Sequence, residues 1–222
     1  MNNIVVIAPH PDDETLGVGG TLLKEKKAGS DIHWIIVTSI STEEGWNREL
    51  VSSRKKEIEI VSNKYNFNSV HDLEIPTTKL DTHSMSSIIE NINNIIVKIK
   101  PNIMYIPHYS DIHTDHQVVF KASIACSKWF KNSYIDRCYA YETLSETHCS
   151  QNNGFFKPNV FVDISSFIDE KINIMKLYES EMHESPHPRS ESSIRALATF
   201  RGSMCGYFSA ESFQLLFDRI SN

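Results

Sequence analysis

The chain has 222 residues, with 22 Lys and Arg against 28 Asp and Glu, which gives a formal net charge of −6. A chain of this length buries about 70% of its unfolded surface, enough for one substantial core. Its composition, with 40% hydrophobic and 23% charged residues, excludes disordered, collagen-like and coiled-coil proteins. The negative charge argues against nucleic acid, because proteins that bind it carry a basic patch. We expect one domain spanning residues 1–222 and no nucleic-acid partner.

The amino-terminal sequence, the hydropathy and the cysteines bear on the cellular location of the protein. The amino terminus lacks a positively charged region and its apolar run stops after five residues, so no signal peptide is expected. No stretch approaches the roughly 18 apolar residues of a membrane span. The four cysteines show no two-residue spacing of a zinc or redox motif. We therefore expect a cytoplasmic protein without a membrane partner. A homo-oligomer stays open, because apolar helix faces serve cores and interfaces alike.

The predicted elements alternate between strands and helices. Short apolar runs predict strands, and apolar residues at helical spacing predict helices. The strands are 4–8, 32–38, 103–106, 137–141 and 160–164. The helices are 15–28, 49–64, 85–99, 115–129, 166–177, 192–204 and 210–219, with Ser166 as the cap of the fifth and a surface loop at 151–154. This alternation implies an α/β fold, with a mostly parallel sheet covered by helices on both faces.

A first polar cluster, His10-Pro11-Asp12-Asp13-Glu14, comes directly after the first strand. In an open α/β sheet this position is the carboxyl edge, where ligands bind. Proline and acidic residues also suit the first turn of a helix, so a solvated acidic turn is the alternative. Helix capping does not explain a histidine between two prolines beside three acids. His10 and Asp13, three residues apart, can converge on one metal ion, with Asp12 close to the ion without binding it.

A second cluster covers residues 108–116, between a predicted strand and a predicted helix. His113 and His116 would share one face of the first helical turn. Asp115 could orient an imidazole through its second nitrogen. An exposed, histidine-rich loop is the alternative, but both clusters lie on the same sheet edge. Together they supply His, Asp and His with an open fourth position, which is typical of catalytic zinc. We expect one Zn²⁺ per chain, with another divalent metal left open.

The two motifs resemble a known family. His10-Pro11-Asp12-Asp13-Glu14 and Asp111-x-His113-x-Asp115-His116 are similar to the two signatures of the PIG-L/LmbE-like zinc-dependent N-deacetylases. Residues 54–57 resemble the family's first long helix, and residues 194–202 resemble its C-terminal segment. The resemblance implies a Rossmann-like three-layer α/β/α sandwich. It also implies hydrolysis of an N-acetyl group, usually on an amino sugar of the N-acetylglucosamine type.

The resemblance assigns roles to the motif residues. It implies three metal ligands, His10, Asp13 and His116. It makes Asp12 the general base and His113 the group that stabilises the oxyanion, with Asp115 in support. Physical chemistry agrees with these roles. Zinc lowers the pKa of bound water and polarises the acetyl carbonyl, Asp12 accepts the proton, and a protonated His113 faces the tetrahedral oxygen. Asp111 or Asp115 is available to raise the pKa of His113.

Substrate contacts are predicted at three further residues. Arg54 matches a family arginine that reaches the ligand, although a solvated helix face explains it equally well. Arg189 belongs to a stiff Pro-His-Pro-Arg-Ser segment similar to the family's substrate-side loop, with a surface turn as the alternative. Asp111 could contact sugar hydroxyls or support another site residue. The expected partner is a small N-acetylated sugar, either free, nucleotide-linked or part of a glycoconjugate.

Two other classes of protein compete with the deacetylase. Gly17-x-Gly19-Gly20 follows the first strand, as a nucleotide-binding loop would. The acidic cluster fills the place of the first glycine of such a loop and would repel phosphate, so close helix packing explains these glycines better. A non-catalytic metal-bearing sugar-binding domain would need the ligands alone. The presence of Asp12 and His113 favours the enzyme.

Overall fold

The computed structural model describes residues 1–149 and 154–220, and its strands form one seven-stranded sheet. The strands are β1 (Asn3–Ala8), β2 (Asp31–Ser39), β3 (Ser69–Pro76), β4 (Ile103–Pro107), β5 (Arg137–Tyr141), β6 (Val160–Asp163) and β7 (Ala210–Asp218). The helices are α1 (Asp13–Lys27), α2 (Arg48–Tyr65), α3 (Met85–Ile99), α4 (Thr114–Cys126), α5 (Ile168–Met175) and α6 (Glu191–Ser203). Of the loop predicted at 151–154, residues 151–153 lie outside the described residues.

The strand order across the sheet is β3-β2-β1-β4-β5-β7-β6. The pairs among the first five strands are parallel, whereas β7 pairs antiparallel with both β5 and β6. In β1, Ile4 and Val6 face one core cluster while Val5 and Ile7 face the other. A strand buried on both faces reads as a continuous apolar run, as predicted. The three-layer α/β fold is therefore confirmed.

Helices cover both faces of the sheet. Helices α1, α2, α5 and α6 contribute to the first core cluster, and α3 and α4 contribute to the second. The apolar stripe predicted for α3 is buried through Ile88, Ile92 and Ile96. Lys100 ends this helix in the left-handed conformation, directly before Pro101. None of the helices in the described ranges is long and apolar enough to cross a membrane.

Two sequence predictions of local structure were wrong, and one strand was missed. Residues 210–219 form strand β7 rather than a helix, because pairing between β5 and β6 buries the first half of the segment. Strand β3 was not predicted, since it is a half-exposed edge strand with few apolar residues. The fifth helix begins at Ile168 with Phe167 as its N-cap, so Ser166 does not cap it.

The glycines of α1 serve helix packing. A Cβ atom on Gly17 would lie 2.3 Å from Cδ2 of Tyr141, and one on Gly20 would lie 2.7 Å from Cγ2 of Ile164. Both distances are too short for a side chain. The close packing predicted for these glycines is confirmed. Packing therefore accounts for the glycines that suggested a nucleotide-binding loop.

The strand order determines where a ligand would bind. Strand β1 pairs with β2 on one side and β4 on the other, so the order reverses between β1 and β4. In open α/β sheets, ligands bind outside the carboxyl ends of the strands at such a switch point. The segments after β1 and β4 are the two polar clusters, which therefore lie side by side.

Candidate metal and active site

Three side chains from the two clusters converge at the switch point. His10, Asp13 and His116 each offer a ligand atom, and these atoms lie within 4.8 Å of one another. Oδ2 of Asp13 is 3.3 Å from Nδ1 of His10 and 3.3 Å from Nε2 of His116. Asp13 is the first residue of α1 and His116 lies in the first turn of α4, so the two helix starts hold the cluster together.

Each histidine of this cluster contacts a buried carboxylate with its other nitrogen. Nε2 of His10 is 3.2 Å from Oδ2 of Asp115, and Nδ1 of His116 is 2.8 Å from Oδ2 of Asp111. Asp111 also accepts from the Thr147 hydroxyl at 2.7 Å. Such carboxylates fix the orientation and tautomer of metal-binding histidines and raise their basicity. The remaining ring nitrogens, Nδ1 of His10 and Nε2 of His116, both face Asp13.

This arrangement decides two roles that the sequence left open. The carboxylate of Asp115 lies on His10 rather than on His113, because Asp115 reaches back from the first turn of α4 toward β1. Asp111 was predicted either to contact the substrate or to support another site residue, and it is fully buried, with its two carboxylate oxygens on His116 and Thr147. It therefore has no surface with which to touch a sugar, and it orients His116 instead.

The cluster fits a divalent cation. Within the described part of the chain, Oδ1 of Asp13 and Nε2 of His116 are buried without a hydrogen-bond partner. Burial alone would lower the histidine pKa values, but neighbouring carboxylates raise the pKa of His10 to about 8 and that of His116 to about 10. Burial would raise the pKa of Asp13, but His116 and His10 hold it well below its usual value. The cluster thus favours positive charge, and two nitrogens with one oxygen suit zinc.

A second group of potential ligands, His10, His113 and Asp115, overlaps the first. Nε2 of His10 already contacts Asp115 in this group, and Nδ1 of His113 accepts the backbone N–H of Asp115 at 3.1 Å. These contacts within the protein therefore already occupy most of the hydrogen-bonding positions of these atoms. For this reason the group of His10, Asp13 and His116 is the better candidate for a metal.

Asp12 occupies a strained position at the start of α1. Its φ of 138° is rare for an L-residue, and such strain persists where function needs it. Its Oδ2 accepts a 2.7 Å hydrogen bond from Nη1 of Arg189, and Asp12 does not belong to the group of potential ligands formed by His10, Asp13 and His116. Burial raises the pKa of Asp12 to about 7, although the charge of Arg189 opposes the shift. A carboxyl group with this pKa can accept and return a proton near neutral pH.

His113 is the N-cap residue of α4, and its ring lies beside that of His10 with centroids 4.5 Å apart. Burial lowers the pKa of His113, and His10 and His116 lower it further. Asp115 raises this pKa, as predicted for Asp111 or Asp115, but burial and the two histidines outweigh it, so the protonated ring that the sequence analysis expected is not favoured. Because Nδ1 accepts the backbone N–H of Asp115, the neutral ring carries its hydrogen on Nε2. His113 can thus donate a hydrogen bond without being charged.

A pocket of about 370 Å³ opens over these residues. His10, Asp12, His113, Arg54 and Arg189 all line this pocket. Nη1 of Arg54 donates to the carbonyl oxygen of Pro11 at 2.9 Å. The pocket is of the size that binds small molecules, for which roughly 300–1,000 Å³ is usual.

Two pocket residues were missed by the sequence analysis. Glu181 bridges both predicted substrate arginines, since Arg54 pairs with its Oε1 and Nη1 of Arg189 lies 2.7 Å from its Oε2. No sequence pattern marks Glu181, which enters the site from the loop after α5. Trp46 lies in the loop after β2 and lines the pocket. Its position after a parallel strand, on the same sheet edge as both clusters, was the signal that could have found it.

The fold and the site define an open α/β protein with a His–Asp–His cluster and a neighbouring strained carboxylate at the topological switch point. Residues 5–127, more than half of the chain, match the family model described as PIG-L, GlcNAc-PI de-N-acetylase. The chain belongs to this family.

Three proteins illustrate the similarity. The chain is 27% identical over 227 aligned positions to the diacetylchitobiose deacetylase of Thermococcus kodakarensis, covering 97% of this chain and 84% of that protein. Its fold is similar to that of a conserved protein from Thermus thermophilus, with a TM-score of 0.79, 24% identity and coverage of 100% and 98%. It is also similar to N,N'-diacetylchitobiose deacetylase from Pyrococcus horikoshii, with a TM-score of 0.76, 22% identity and coverage of 96% and 83%.

Proposed function

We propose that the protein is a metal-dependent hydrolase that removes the N-acetyl group from an amino sugar. The observation that carries the proposal is the cluster of His10, Asp13 and His116, in which each histidine is backed by a buried carboxylate. These three residues would hold a single ion, for which zinc is the expected metal. Membership of the family and the similarity to a diacetylchitobiose deacetylase support an N-acetylated sugar as the substrate.

Asp12 acts as the general base and then as the general acid. When bound, the divalent ion supplies Lewis acidity toward water and the acetyl carbonyl. Asp12 takes a proton from the attacking water and later gives it to the nitrogen of the departing amine. The amide C–N bond breaks, and acetate and the free amino sugar leave. Arg189 holds the Asp12 carboxylate in place through its 2.7 Å hydrogen bond.

His113 stabilises the negative charge that develops on the acetyl oxygen. Its Nε2–H donates to this oxygen, while the bond from Asp115 N–H to Nδ1 fixes the ring. Asp115 therefore supports His113 through its backbone and His10 through its carboxylate. Arg54 and Arg189, which line the pocket, would contact the sugar hydroxyls.

The test is an assay of acetate release from a panel of N-acetylated sugars. The protein is stripped of metal and then supplied with zinc or another divalent ion. We expect release with metal and none without it, and the same panel with Asp13→Asn should stay inactive. Sugar binding without acetate release would contradict the proposal and favour the non-catalytic sugar-binding alternative.

A further inference from the structure

Glu14 is a buried acid that takes no part in the proposed reaction. It is the second residue of α1, and its side chain is fully buried. Glutamate side chains are mostly exposed, because burying a carboxylate is costly unless other groups of the protein bind it. The partners that hold Glu14 in the interior therefore indicate what it does.

One carboxylate oxygen of Glu14 binds the backbone of Asp12. The N–H of Asp12 donates to Oε2 of Glu14 at 3.0 Å. The carbonyl oxygen of Asp12 accepts the N–H groups of Thr15 and Leu16 at 3.0 and 2.9 Å. The peptide groups on both sides of Asp12 are thus fixed, although its φ of 138° is one that L-residues rarely adopt. Such a conformation persists only where surrounding contacts enforce it, and Glu14 supplies the contact on the amino side.

The other carboxylate oxygen of Glu14 is held by hydroxyl groups. The Tyr178 hydroxyl donates to Oε1 at 2.9 Å, and the Thr15 hydroxyl donates to the same atom. Thr15 in turn accepts from the hydroxyl of Tyr65 in α2 at 3.1 Å. All of these side chains are buried. The Glu14 carboxylate is therefore fixed from α2 and from the turn after α5 as well as from its own helix.

Tyr178 also contacts a residue of the pocket. Its ring lies beside the guanidinium group of Arg54, whose Cζ atom is 5.8 Å from the ring centroid. Glu181, three residues later in the chain, lines the pocket as well. A capping bond at the start of a helix would by itself explain the contact between Glu14 and Asp12. It would not require a buried tyrosine from the turn after α5 to hold the glutamate.

Building on the proposed function, we propose that Glu14 and Tyr178 are positioning residues for the general base. Glu14 holds the Asp12 backbone in its strained conformation, and Tyr178 holds the Glu14 carboxylate. The Asp12 carboxylate is thereby kept in the pocket with His10 and His113. Without an acceptor at position 14, the buried N–H of Asp12 would lose its partner and the residue would relax toward a negative φ. The carboxylate would then move away from the attacking water.

The first test compares Glu14→Gln with Glu14→Met. The side-chain oxygen of glutamine can still accept the Asp12 N–H, and its NH₂ group can donate to the hydroxyls of Tyr178 and Thr15. Methionine has a similar length and offers no comparable acceptor. We expect Glu14→Met to lower kcat about 10²-fold, since a misplacement of about 1 Å can have this effect. KM and metal content should stay near the wild-type values, and Glu14→Gln should recover most of the loss in kcat.

The second test is Tyr178→Phe, which removes the hydroxyl and keeps the ring beside Arg54. We expect kcat to fall about 5–10-fold at unchanged KM, because one hydrogen bond to Glu14 is lost and the one from Thr15 remains. Tyr134→Phe is the matched control. Its hydroxyl also bonds within the protein, to Asn132 and Ile96, but it lies before β5, at the sheet edge opposite the pocket.

Three outcomes of these assays would overturn the proposal. They are a wild-type kcat in Glu14→Met, equal losses in Glu14→Gln and Glu14→Met, and a loss of bound metal that accompanies the loss of activity in Glu14→Met. The last outcome would mean that Glu14 supports the ligand Asp13 rather than the base.

Hydrogen exchange at the Asp12 N–H tests the positioning without turnover. Followed by NMR at one pH, exchange in Glu14→Met should be at least about 5-fold faster than in wild type, because the bond to Glu14 is lost. Glu14→Gln should exchange at about the wild-type rate. This result would support the positioning role even if no sugar is deacetylated. Equal exchange in all three proteins would overturn that role even if the enzyme is an active deacetylase.

Discussion

His10, His113 and His116 show how three neighbouring histidines acquire different tasks from their hydrogen-bond partners. His10 and His116 each present one nitrogen to Asp13 and the other to a buried carboxylate, Asp115 or Asp111. His113 lies beside both rings. Its Nδ1 accepts the backbone N–H of Asp115, and within the described residues no carboxylate forms a hydrogen bond with its ring. The pKa of His113 is lowered while those of His10 and His116 are raised. The hydrogen-bond partners of these three histidines, rather than the residue type, distinguish the two proposed metal ligands from the proposed hydrogen-bond donor.

Asp12→Asn removes the proton acceptor and keeps the shape of the side chain. We expect turnover to fall about 10²–10⁴-fold, the range for general acid–base groups. Metal content, measured by elemental analysis, should stay at the wild-type value because the Asp12 carboxylate faces Arg189. The exposed Asp81→Asn is the matched control. Activity that survives in Asp12→Asn would show that another group is the base.

His113→Asn removes the imidazole but keeps a residue that can cap α4, since asparagine is a favoured N-cap. Turnover should fall about 10²–10³-fold, the usual effect of losing one oxyanion donor. Because the pKa of His113 is lowered, the neutral ring is the working form at neutral and alkaline pH. The alkaline limb of the rate profile should therefore be the same in variant and wild type. The exposed His83→Asn serves as the control, and a loss of bound metal in His113→Asn would make His113 a ligand.

At the scale of elements, buried ion pairs join the antiparallel end of the sheet to the helices. Nζ of Lys171 in α5 donates to Oε1 of Glu211 in β7 at 2.7 Å and to the Leu16 carbonyl of α1 at 2.8 Å. Glu211 in turn accepts the backbone N–H groups of Gly20 and Thr21. In the extended β7, Glu211 lies against α1, so these contacts help to stabilise residues 210–218 as a strand.

Glu142 links α6 to the sheet and makes stability depend on pH. Burial alone would raise its pKa, but hydrogen bonds from His148, Arg201 and Ser212 hold it below its usual value. A depressed carboxyl pKa stabilises the fold above the unfolded-state pKa of about 4.3, and this contribution is lost as pH falls through the folded-state pKa. Glu142→Gln should lower the free energy of unfolding by about 3 kcal/mol at pH 7, because Arg201 stays buried without its partner.

The measurement is urea unfolding of Glu142→Gln and wild type between pH 7 and pH 3. The difference between the two proteins should shrink as the pH falls below the unfolded-state pKa of about 4.3, and it should be smallest once the pH has passed the lower folded-state pKa of Glu142. Glu191→Gln is the control, since Glu191 forms only exposed ion pairs with Lys176 and Arg195 and should change little. A difference that is independent of pH would mean that packing, not charge, explains the effect.

At the scale of the whole molecule, the candidate metal cluster joins the two halves of the parallel sheet. His10 and Asp13 follow β1, and His116 follows β4, with the order reversing between these strands. A bound ion would therefore tie β1–α1 to β4–α4. The single domain spanning residues 1–222 stays a prediction, although the described strands all belong to one sheet.

Removing metal should lower the thermal stability of the protein. A ligand at about 1,000 times its Kd stabilises the native state by about 4 kcal/mol, which corresponds to roughly 10 °C in Tm for a chain of this size. Calorimetry with zinc and with a chelator measures the difference. Asp13→Asn should abolish it, and Asp111→Asn should weaken metal affinity about 10–100-fold by freeing the His116 ring. The exposed Asp169→Asn is the control, and an unchanged zinc response in Asp13→Asn would contradict the ligand assignment.

The predictable parts of the fold were those with strong local patterns. The apolar run 4–8 and the stripe 85–99 correspond to β1 and α3, because burial on two faces or on one helix face demands such patterns. Strand β3 escaped prediction because an edge strand needs few apolar residues. The segment 210–219 was misread because its apolar spacing fits either element. Pairing with β5 and β6 makes this segment a strand rather than a helix. Both partner strands lie far from it in the sequence.

Local sequence patterns were enough to predict β1, β2, β4 and β5 of the parallel sheet and the two motifs after β1 and β4. A helix start can hold His10 and Asp13, or His113 and His116, close together through local spacing. The tertiary structure was needed to show that the carboxylate of Asp115 contacts His10 and that the carboxylate of Asp111 contacts His116. It was also needed to show that Glu181 and Trp46 line the pocket. Apart from Asp111 and His116, which are five residues apart, these residues come from segments separated by tens of residues. Their geometry follows from strand order and loop path, which no local spacing encodes.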